Sequence, residues 1–334
     1  MKLHPHNPRV VSRRQFAGLS MAAAAAAAAA LPGARALAAT VSHLTLQTAW
    51  VYDAESIGYL VAKELGYYAA EGVDLTVLSG GPDVIPESTL LAGRADIALT
   101  SADTCIKAIA ERGAKFRIIA AQFQKSPIGV VSLSTRPIRT PGDLVGKILA
   151  VPPVNMVTVQ AFLRINGIDK RAVRIVPYQF DPTPLLKGEI DASVDFVTDV
   201  PYTIQLAGKQ AVSFLLYDYG VPLFNNTVVV SEQLLATSRS QLVRWLRASR
   251  RGWQENFRDP ARYPHQFRDS WFKGTGRDTG NEIFSNRANQ PLMECPQGLL
   301  SMTEEAIQKQ ISFFQSLGIR ATRQMYDGTL LAEL

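Results

Sequence analysis

The chain has 334 residues, 47% of them hydrophobic and 19% charged, and carries a formal charge of +6. This length suffices for one large core or for two domains of ordinary size. Its two cysteines, Cys105 and Cys295, exclude a disulfide scaffold and a four-cysteine zinc site, although the two could bond to each other in an oxidising compartment.

The N-terminal segment 1–38 has the order of an export signal. An arginine pair at 13–14 is followed by an alanine-rich apolar run over 19–31 and by a small-residue cleavage pattern over 36–38. The apolar run is shorter than the roughly 20 residues that a membrane span needs. We therefore predict a twin-arginine signal peptide, cleaved near Ala38, and a mature protein that resides in the periplasm.

The positive charge of the whole chain comes largely from this segment. Five of the 35 lysines and arginines lie within residues 1–38, which hold no acidic residue, so the mature chain has 30 cations against 29 acids. A nearly neutral chain lacks the basic surface that is typical of nucleic-acid-binding proteins. We expect no nucleic-acid partner.

Beyond residue 40, short apolar runs alternate with helical patterns. Strands are predicted at 44–50, 73–78, 95–100 and 116–123, with helices at 57–68, 86–92 and 104–112. The alternation resumes with strands at 148–151, 173–178 and 192–196 and helices at 158–166, 183–187 and 202–207. A last strand at 228–230 precedes long amphipathic helices at 240–257 and 303–317. Such alternation predicts an α/β protein with mostly parallel sheets.

A weak internal repeat divides this pattern into two similar halves. The sequence Gly-Val-Asp at 72–74 matches Gly-Ile-Asp at 167–169, and the segment 90–96 matches 185–191 at the same offset of 95 residues. We infer two lobes of similar build, each a small open sheet flanked by helices. Ligands of open α/β sheets bind beyond the carboxyl ends of the strands, so we predict a ligand cleft between the lobes.

The residues that follow the predicted strands are the candidate ligand contacts. They are Trp50, Asp53, Glu55, Gly80, Gly81, Ser101, Asp103 and Gln124 in lobe one, and Asn155, Phe180, Phe196 and Asp199 in lobe two. Lysine and arginine are scarce at these positions, whereas a sulfonate or phosphate site is expected to carry arginine. Rings and acidic acceptors suit a flat heterocycle with donor N–H groups. Structural roles compete at single positions, since the aromatic residues could belong to the core and the aspartates could cap helices.

The stretch 50–231 carries short motifs that are specific in combination. They are Gly-Tyr-Tyr at 66–68, Glu-Gly-Val at 71–73, Gly-Gly-Pro at 80–82, Leu-Ala-Gly-Arg-Ala-Asp at 91–96, Gln-Lys-Ser-Pro at 124–127, Pro-Gly-Asp-Leu-Val-Gly-Lys at 141–147 and Asp-Tyr-Gly at 218–220. In these motifs the chain resembles the periplasmic binding proteins for thiamine-pyrimidine precursors, riboflavin and aliphatic sulfonates. The Gln-Lys-Ser-Pro and Asp-Tyr-Gly motifs favour the pyrimidine and riboflavin branch. In that branch an aromatic residue of the first loop, here Trp50, stacks on the ligand ring.

The resemblance implies a two-lobed periplasmic-binding-protein type II fold that closes around its ligand on a hinge. Lobe one is expected to comprise residues 39–132 and 223–334, the latter with the C-terminal helices, and lobe two residues 133–222. The expected partners are a small-molecule ligand and an ABC permease in the inner membrane. We expect a monomer that needs neither a cofactor nor a metal.

An enzyme is the main competing function. The pyrimidine-precursor synthases of fungi resemble the same Gly-Tyr-Tyr and Glu-Gly segments, but they carry clustered cysteines and use histidine and lysine chemistry. Here Cys105 and Cys295 stand far apart in the chain, and only His43 and His265 remain after the signal. Because no nucleophile and histidine base can be paired, we expect a protein without catalytic activity. A sulfonate- or nitrate-type binding protein, or a ligand sensor that docks on a membrane receptor, would have the same kind of cleft.

Overall fold

The computed structural model describes residues 41–334, so the predicted signal peptide lies outside the described residues. The strands are β1 (Ser42–Gln47), β2 (Val73–Leu78), β3 (Ile97–Thr100), β4 (Phe116–Phe123), β5 (Ile128–Leu133), β6 (Ile148–Val151), β7 (Arg174–Pro177), β8 (Ala192–Phe196), β9 (Ala211–Leu215) and β10 (Asn225–Ser231). The helices are α1 (Ile57–Glu64), α2 (Tyr67–Ala70), α3 (Pro86–Leu91), α4 (Ala102–Arg112), α5 (Met156–Ile165), α6 (Thr183–Lys187), α7 (Val200–Leu206), α8 (Glu232–Thr237), α9 (Arg239–Arg258), α10 (Arg262–Phe267), α11 (Thr279–Met293) and α12 (Glu304–Ser316).

The strands form two separate sheets of five. Lobe one is built on the order β2-β1-β3-β10-β4, and lobe two on the order β7-β6-β8-β5-β9. In each sheet four strands run in one direction. The fifth, β10 in lobe one and β5 in lobe two, runs the other way. The predicted α/β fold with two mostly parallel sheets is confirmed.

The chain crosses between the lobes twice, at 124–127 and at 216–224. The two crossings are bonded to each other, because the backbone N–H of Ser126 donates to the carbonyl of Leu223 at 3.0 Å. The amide of Asn225 also donates to the Ser126 hydroxyl at 3.1 Å. The first crossing lies several residues before the expected boundary at 132, because β5 already pairs with β8 in the second sheet.

The internal repeat corresponds to equivalent contacts in the two lobes. The carboxylate of Asp96 accepts the N–H of Thr45 at 2.8 Å, and the carboxylate of Asp191 accepts the N–H of Ile148 at 2.9 Å. In both lobes the aspartate's own N–H also donates to the carbonyl of the same partner, at 2.9 Å. Each aspartate thereby joins the turn after a short helix to a neighbouring strand of its sheet. The turn glycines at 93 and 188 both adopt a positive φ that favours glycine.

The C-terminal helices pack on lobe one, and the contact between α1 and α9 is especially close. Gly58 of α1 faces Trp253 of α9, and a side chain at position 58 would overlap the indole ring. On the same surface Tyr59 stacks on Trp245, with ring centroids 5.7 Å apart. Helix α9 therefore forms part of the core of lobe one.

Helix α12 lies where the two lobes meet. Its residues Ile311 and Phe314 belong to a hydrophobic cluster that also contains Phe116 of lobe one and Phe162 of lobe two. Within residues 41–334, none of the helices combines the length and the apolar character that a membrane span requires. Cys105 is buried, Cys295 is partly exposed, and both are free thiols in the structure.

Candidate functional site

A cavity of about 590 Å³ opens between the lobes. Part of its lining comes from the loops that follow the strands: Trp50 after β1, Ser101 after β3, Phe180 after β7 and Asp199 after β8. This is the position expected for a ligand in open α/β sheets. The volume lies in the range of small-molecule sites, which is about 300–1,000 Å³.

Two aromatic rings from opposite lobes meet in this cavity. The rings of Trp50 and Phe180 lie 5.5 Å apart between centroids, at an interplanar angle of 63°. Phe180 has a φ of 60°, in the left-handed region that is uncommon for a bulky residue, and its side chain is 43% exposed. A strained, exposed aromatic residue at a cleft is a feature that binding sites share. The two rings form an apolar wall that a planar ligand can contact from either side.

A partly buried arginine, Arg277, joins the two lobes at the same cavity. Its terminal nitrogens donate to the carboxylate of Asp199 in lobe two at 2.9 and 3.0 Å, and its Nε donates to Glu282 Oε1 at 2.5 Å. Glu282 is held in turn by the N–H of Ala54, which donates to its other oxygen at 2.5 Å. Asn281 adds a bond to Asp199 at 2.8 Å. Each of the three guanidinium nitrogens therefore donates to a protein carboxylate, which occupies three of its five N–H groups.

Burial and charge alter the pKa of several groups in this cluster. Burial raises the pKa of Asp53 well above its usual range, and the charge of Glu55 raises that pKa further. Burial likewise raises the pKa of Glu55 to about 7, although the charge of Arg277 acts to lower that pKa. Burial also raises the pKa of Glu282, again opposed by Arg277. Burial alone would lower the pKa of Arg277, but the surrounding carboxylates of Asp53, Asp199 and Glu282 raise it. Arg277 therefore stays charged, whereas some of the carboxyl groups around it can be protonated near neutral pH.

Two further acids line the cavity away from the arginine. Asp195 of lobe two accepts a 2.5 Å bond from the Ser193 hydroxyl, and burial raises the pKa of Asp195 to about 7. Glu87 of lobe one accepts bonds from the hydroxyls of Thr100 at 2.5 Å and Thr104 at 2.7 Å. The cavity thus presents hydrogen-bond acceptors from both lobes.

The structure brings eight of the twelve predicted contacts to the cavity lining. They are Trp50, Glu55, Gly81, Ser101, Asn155, Phe180, Phe196 and Asp199. The other four are near the cleft but have structural contacts instead. Gly80 packs on the backbone of Thr48 and Ala49, and Gln124 donates to the carbonyls of Ala121 and Ser301.

The remaining two of these four are buried aspartates. Asp53 is 1% exposed and accepts the N–H of Glu55 at 2.8 Å, while its Oδ2 has no partner among the described residues. Asp103 accepts a bond from Thr158 of lobe two at 3.0 Å and faces a much smaller cavity at the hinge. Asp103 is therefore a second direct bridge between the lobes.

The expectation that ligand contacts follow the carboxyl ends of strands did not identify some lining residues, among them Arg277, Asn225, Asn226, Glu87 and Asp195. Asn225 and Asn226 begin β10, which is antiparallel to its neighbours and so presents its amino end, not its carboxyl end, at the cleft. The antiparallel return strand is a signal that could have found them. Arg277 stands in an irregular segment before α11, where no local pattern points to a cleft.

No metal site accompanies these acids in the part of the chain that the structure describes, since no three His, Cys, Asp or Glu side chains are grouped to hold an ion. The acidic residues that do cluster surround a guanidinium instead. Rings, amides and carboxylates are the groups that the cavity lining presents.

Two open α/β lobes, two chain crossings and one shared cavity define the class of this molecule, which has the periplasmic binding protein fold. The chain belongs to the NMT1/THI5-like family, whose model matches residues 53–263. The resemblance drawn from the short motifs is thereby confirmed.

Relatives with described ligands share this sequence at low identity. The chain is 23% identical over 283 residues to the riboflavin-binding protein RibY of Chloroflexus aurantiacus, a match that covers 83% of this chain and 74% of the relative. It is 26% identical over 218 residues to the formylaminopyrimidine-binding protein of Halalkalibacterium halodurans. The second match covers 63% of this chain and 65%, just under two thirds, of that relative.

Solved structures of similar shape include both binding proteins and an enzyme. The periplasmic aliphatic sulphonate binding protein SsuA from Escherichia coli matches with a TM-score of 0.63 at 15% identity, over 85% of this chain and 96% of that one. The desulfurization enzyme DSZB matches with a TM-score of 0.58 at 14% identity, over 87% and 98%. At these identities the likeness concerns the fold alone.

Proposed function

We propose that this protein is the substrate-binding component of an ABC importer and captures a small aromatic heterocycle between its lobes. The ligand contacts are the eight predicted residues that line the cavity, together with Asn226 and Asp195. The protein works in the periplasm as a monomer, and the closed, loaded form docks on a permease of the inner membrane. Ligand binding shifts the population of the closed state by making contacts with both lobes at once.

The observation that carries this proposal is the pair of rings, Trp50 and Phe180, which reach the cavity from opposite lobes. A planar ligand that contacts both rings gains from closure, because each lobe supplies one of the two surfaces. The acceptors Glu55 and Asp195 beside the rings suit donor N–H groups on the heterocycle. The two relatives named as riboflavin-binding and formylaminopyrimidine-binding proteins support a ligand of this class.

A sulfonate ligand is less compatible with this cavity. A sulfonate needs cationic or N–H donors that are free to bind it. Arg277 lines the cavity, but each of its three nitrogens already donates to Asp199 or Glu282, and these two carboxylates balance its charge. The two other basic lining residues, Lys107 and Arg112, lie along α4 and away from its first turn. We therefore favour the heterocycle over the sulfonate.

Catalysis of the synthase type is the second candidate, because an enzyme shares the fold. Histidine chemistry has no candidate at the cavity among the described residues: His43 pairs with Asp74 on β2, and His265 lies on α10. Cys105 is buried, and burial raises the pKa of its thiol, which disfavours the nucleophilic thiolate. A binding protein without catalysis is the function that these contacts favour.

Native mass spectrometry of the exported protein tests the proposal. The expected result is one heterocyclic molecule per chain, released on denaturation and identified by its mass. An empty protein would be screened by thermal shift against riboflavin, thiamine-pyrimidine precursors and aliphatic sulfonates. Stabilisation by a heterocycle supports the proposal. Stabilisation by sulfonates alone, or turnover of any of these compounds, contradicts it.

A further inference from the structure

We propose that the ligand of this cleft carries a positive charge, in the form of a protonated amine or amidinium group, and that Glu55 binds that group. The inference rests on the proposed function and adds the charge of the ligand to it. Asp195 supplies a second acceptor from lobe two. The juxtaposition that leads to this proposal is a surplus of carboxylates around Arg277, each of whose three nitrogens already donates to Asp199 or Glu282.

The surplus is visible in the contacts of each group. Asp53, Glu55, Asp199 and Glu282 surround Arg277, whose donors go to Asp199 and Glu282. Among the described residues, the carboxylate of Glu55 receives one hydrogen bond, from the amide of Asn226 at 3.3 Å. Its other oxygen receives none there, and the residue lines the cavity. A partly buried carboxylate with a free oxygen facing a cavity favours a cationic donor as its partner.

The acceptors continue on the other wall of the cavity. Asp195 is 3% exposed and receives a bond from Ser193 at Oδ2, and the Tyr178 hydroxyl also interacts with its carboxylate. Because Glu55 and Asp195 belong to different lobes, a ligand with donors at two edges can bind both. A cationic ligand would therefore strengthen closure of the lobes as well as binding to either one.

The basic residues of the lining do not compensate these acids. Lys107 and Arg112 lie on α4, whose first turn follows Ser101 at the cleft. At a rise of about 1.5 Å per residue, Arg112 lies roughly 15 Å along the helix from its start. Arg112 is exposed to solvent, which screens its charge. Among the described residues, Glu55 has no lysine or arginine hydrogen-bonded to it, so its free oxygen can accept a cationic donor from the ligand.

A matched pair of small probes separates charge from shape. Benzamidine and benzamide are nearly isosteric and aromatic, and benzamidine is cationic at pH 8 whereas benzamide is neutral. Binding of each to the folded mature protein is measured by ligand-observed NMR at pH 8. We expect benzamidine to bind at least tenfold more tightly than benzamide. We expect Glu55→Gln to reduce that ratio to near one, and Asp195→Asn to reduce it partly.

The control replaces an exposed acid outside the cavity in the same way. Glu305→Gln removes a surface carboxylate that pairs with Lys309, and it should leave the probe ratio unchanged. If Glu55→Gln does not fold, as judged by circular dichroism, the ratio in the unmodified protein decides on its own. A ratio of one or less in that protein overturns the proposal, as does a preference for benzamidine that persists in a folded Glu55→Gln variant.

The failure of this inference is distinct from the failure of the proposed function. Riboflavin or benzamide bound at one per chain, with no binding of benzamidine, overturns the cationic ligand and leaves the binding-protein function in place. Such a result would mean that Glu55 is protonated and donates to a neutral ligand. If no probe binds, and no heterocycle is released from the native protein or stabilises it, both proposals fall.

Discussion

Arg277 and Asp199 form a bidentate ion pair across the cleft, with nitrogen–oxygen distances of 2.9 and 3.0 Å. Asp199 belongs to lobe two, whereas Arg277 precedes α11, whose Glu282 is bonded to the backbone of lobe one at Ala54. The pair therefore connects the lobes through protein groups alone. Together with the Thr158–Asp103 bond, it stabilises an arrangement in which residues of both lobes line one cavity.

Replacing Arg277 by methionine should lower the free energy of unfolding by about 3–5 kcal/mol, because the buried carboxylate of Glu282 and the partly buried carboxylate of Asp199 lose their counter-ion. Urea unfolding followed by circular dichroism measures the change. Arg268→Met is the matched control. Arg268 pairs with Asp269, but both side chains are largely exposed, and such pairs contribute at most about 1 kcal/mol. Equal losses in the two variants would contradict the structural role of the interlobe pair.

Trp50→Ala should weaken ligand binding by about 1–3 kcal/mol, or roughly 5- to 150-fold in Kd, through loss of the ring and its buried area. Isothermal titration with the heterocycle released from the native protein measures it. Trp271→Ala serves as the control, because Trp271 packs on Tyr52 and bonds to Glu64 outside the cavity. An unchanged Kd for the Trp50 variant would remove this residue from the site.

The free energy of unfolding should fall as pH rises from about 5 to 7. Burial raises the pKa of Glu55 and of Asp195 to about 7 in the folded protein, against about 4 in an unfolded chain. Within this window the folded state holds more protons than the unfolded state, so each pH unit costs at most about 1.4 kcal/mol per group. Urea titrations at several pH values should give a shallower slope for Glu55→Gln. Parallel curves for the two proteins would show that Glu55 ionises normally.

Gly58→Ala should destabilise lobe one by about 1–3 kcal/mol or more, because the new methyl group overlaps the indole of Trp253 where α1 meets α9. Thermal unfolding measures the loss. Gly142→Ala is the comparison, since the nearest atom to its added Cβ is the Thr140 hydroxyl at 3.9 Å, an ordinary contact. A Tm for Gly58→Ala as high as that of the comparison variant would mean that the two helices can separate at no cost.

Much of the fold follows from local pattern. The strands β2, β4, β6 and β8 begin and end where the apolar runs predict, because turn residues bound each run. The pattern does not predict β5 and β9. Strand β5 follows β4 with no helix between them, so the alternation of strands and helices gives no signal at the crossing. The predicted helix at 57–68 is divided into α1 and α2 at Gly66, whose φ is 70°.

The site was predictable where it depends on strand ends and not where it depends on tertiary packing. Trp50, Phe180 and Asp199 follow strands of the parallel set, and the sheet rule brings them to one edge. Arg277 reaches the cavity because Glu282, more than 200 residues after Ala54 in the chain, bonds to that backbone N–H. Contacts between such distant segments depend on the packing of α11, which periodicity does not describe.

The strand β10 lies between β3 and β4, so the sheet of lobe one stays divided until residues 225–231 have been synthesised and inserted. Lobe two has no such gap, because its five strands come from the continuous stretch 128–215. Closing a sheet across more than 100 residues carries a loop-closure cost, and pairings of high contact order form slowly. Lobe two can therefore be complete while lobe one still exposes the edges of β3 and β4. During biogenesis, lobe one is accordingly the part of the chain that is more exposed to aggregation and to binding by chaperones.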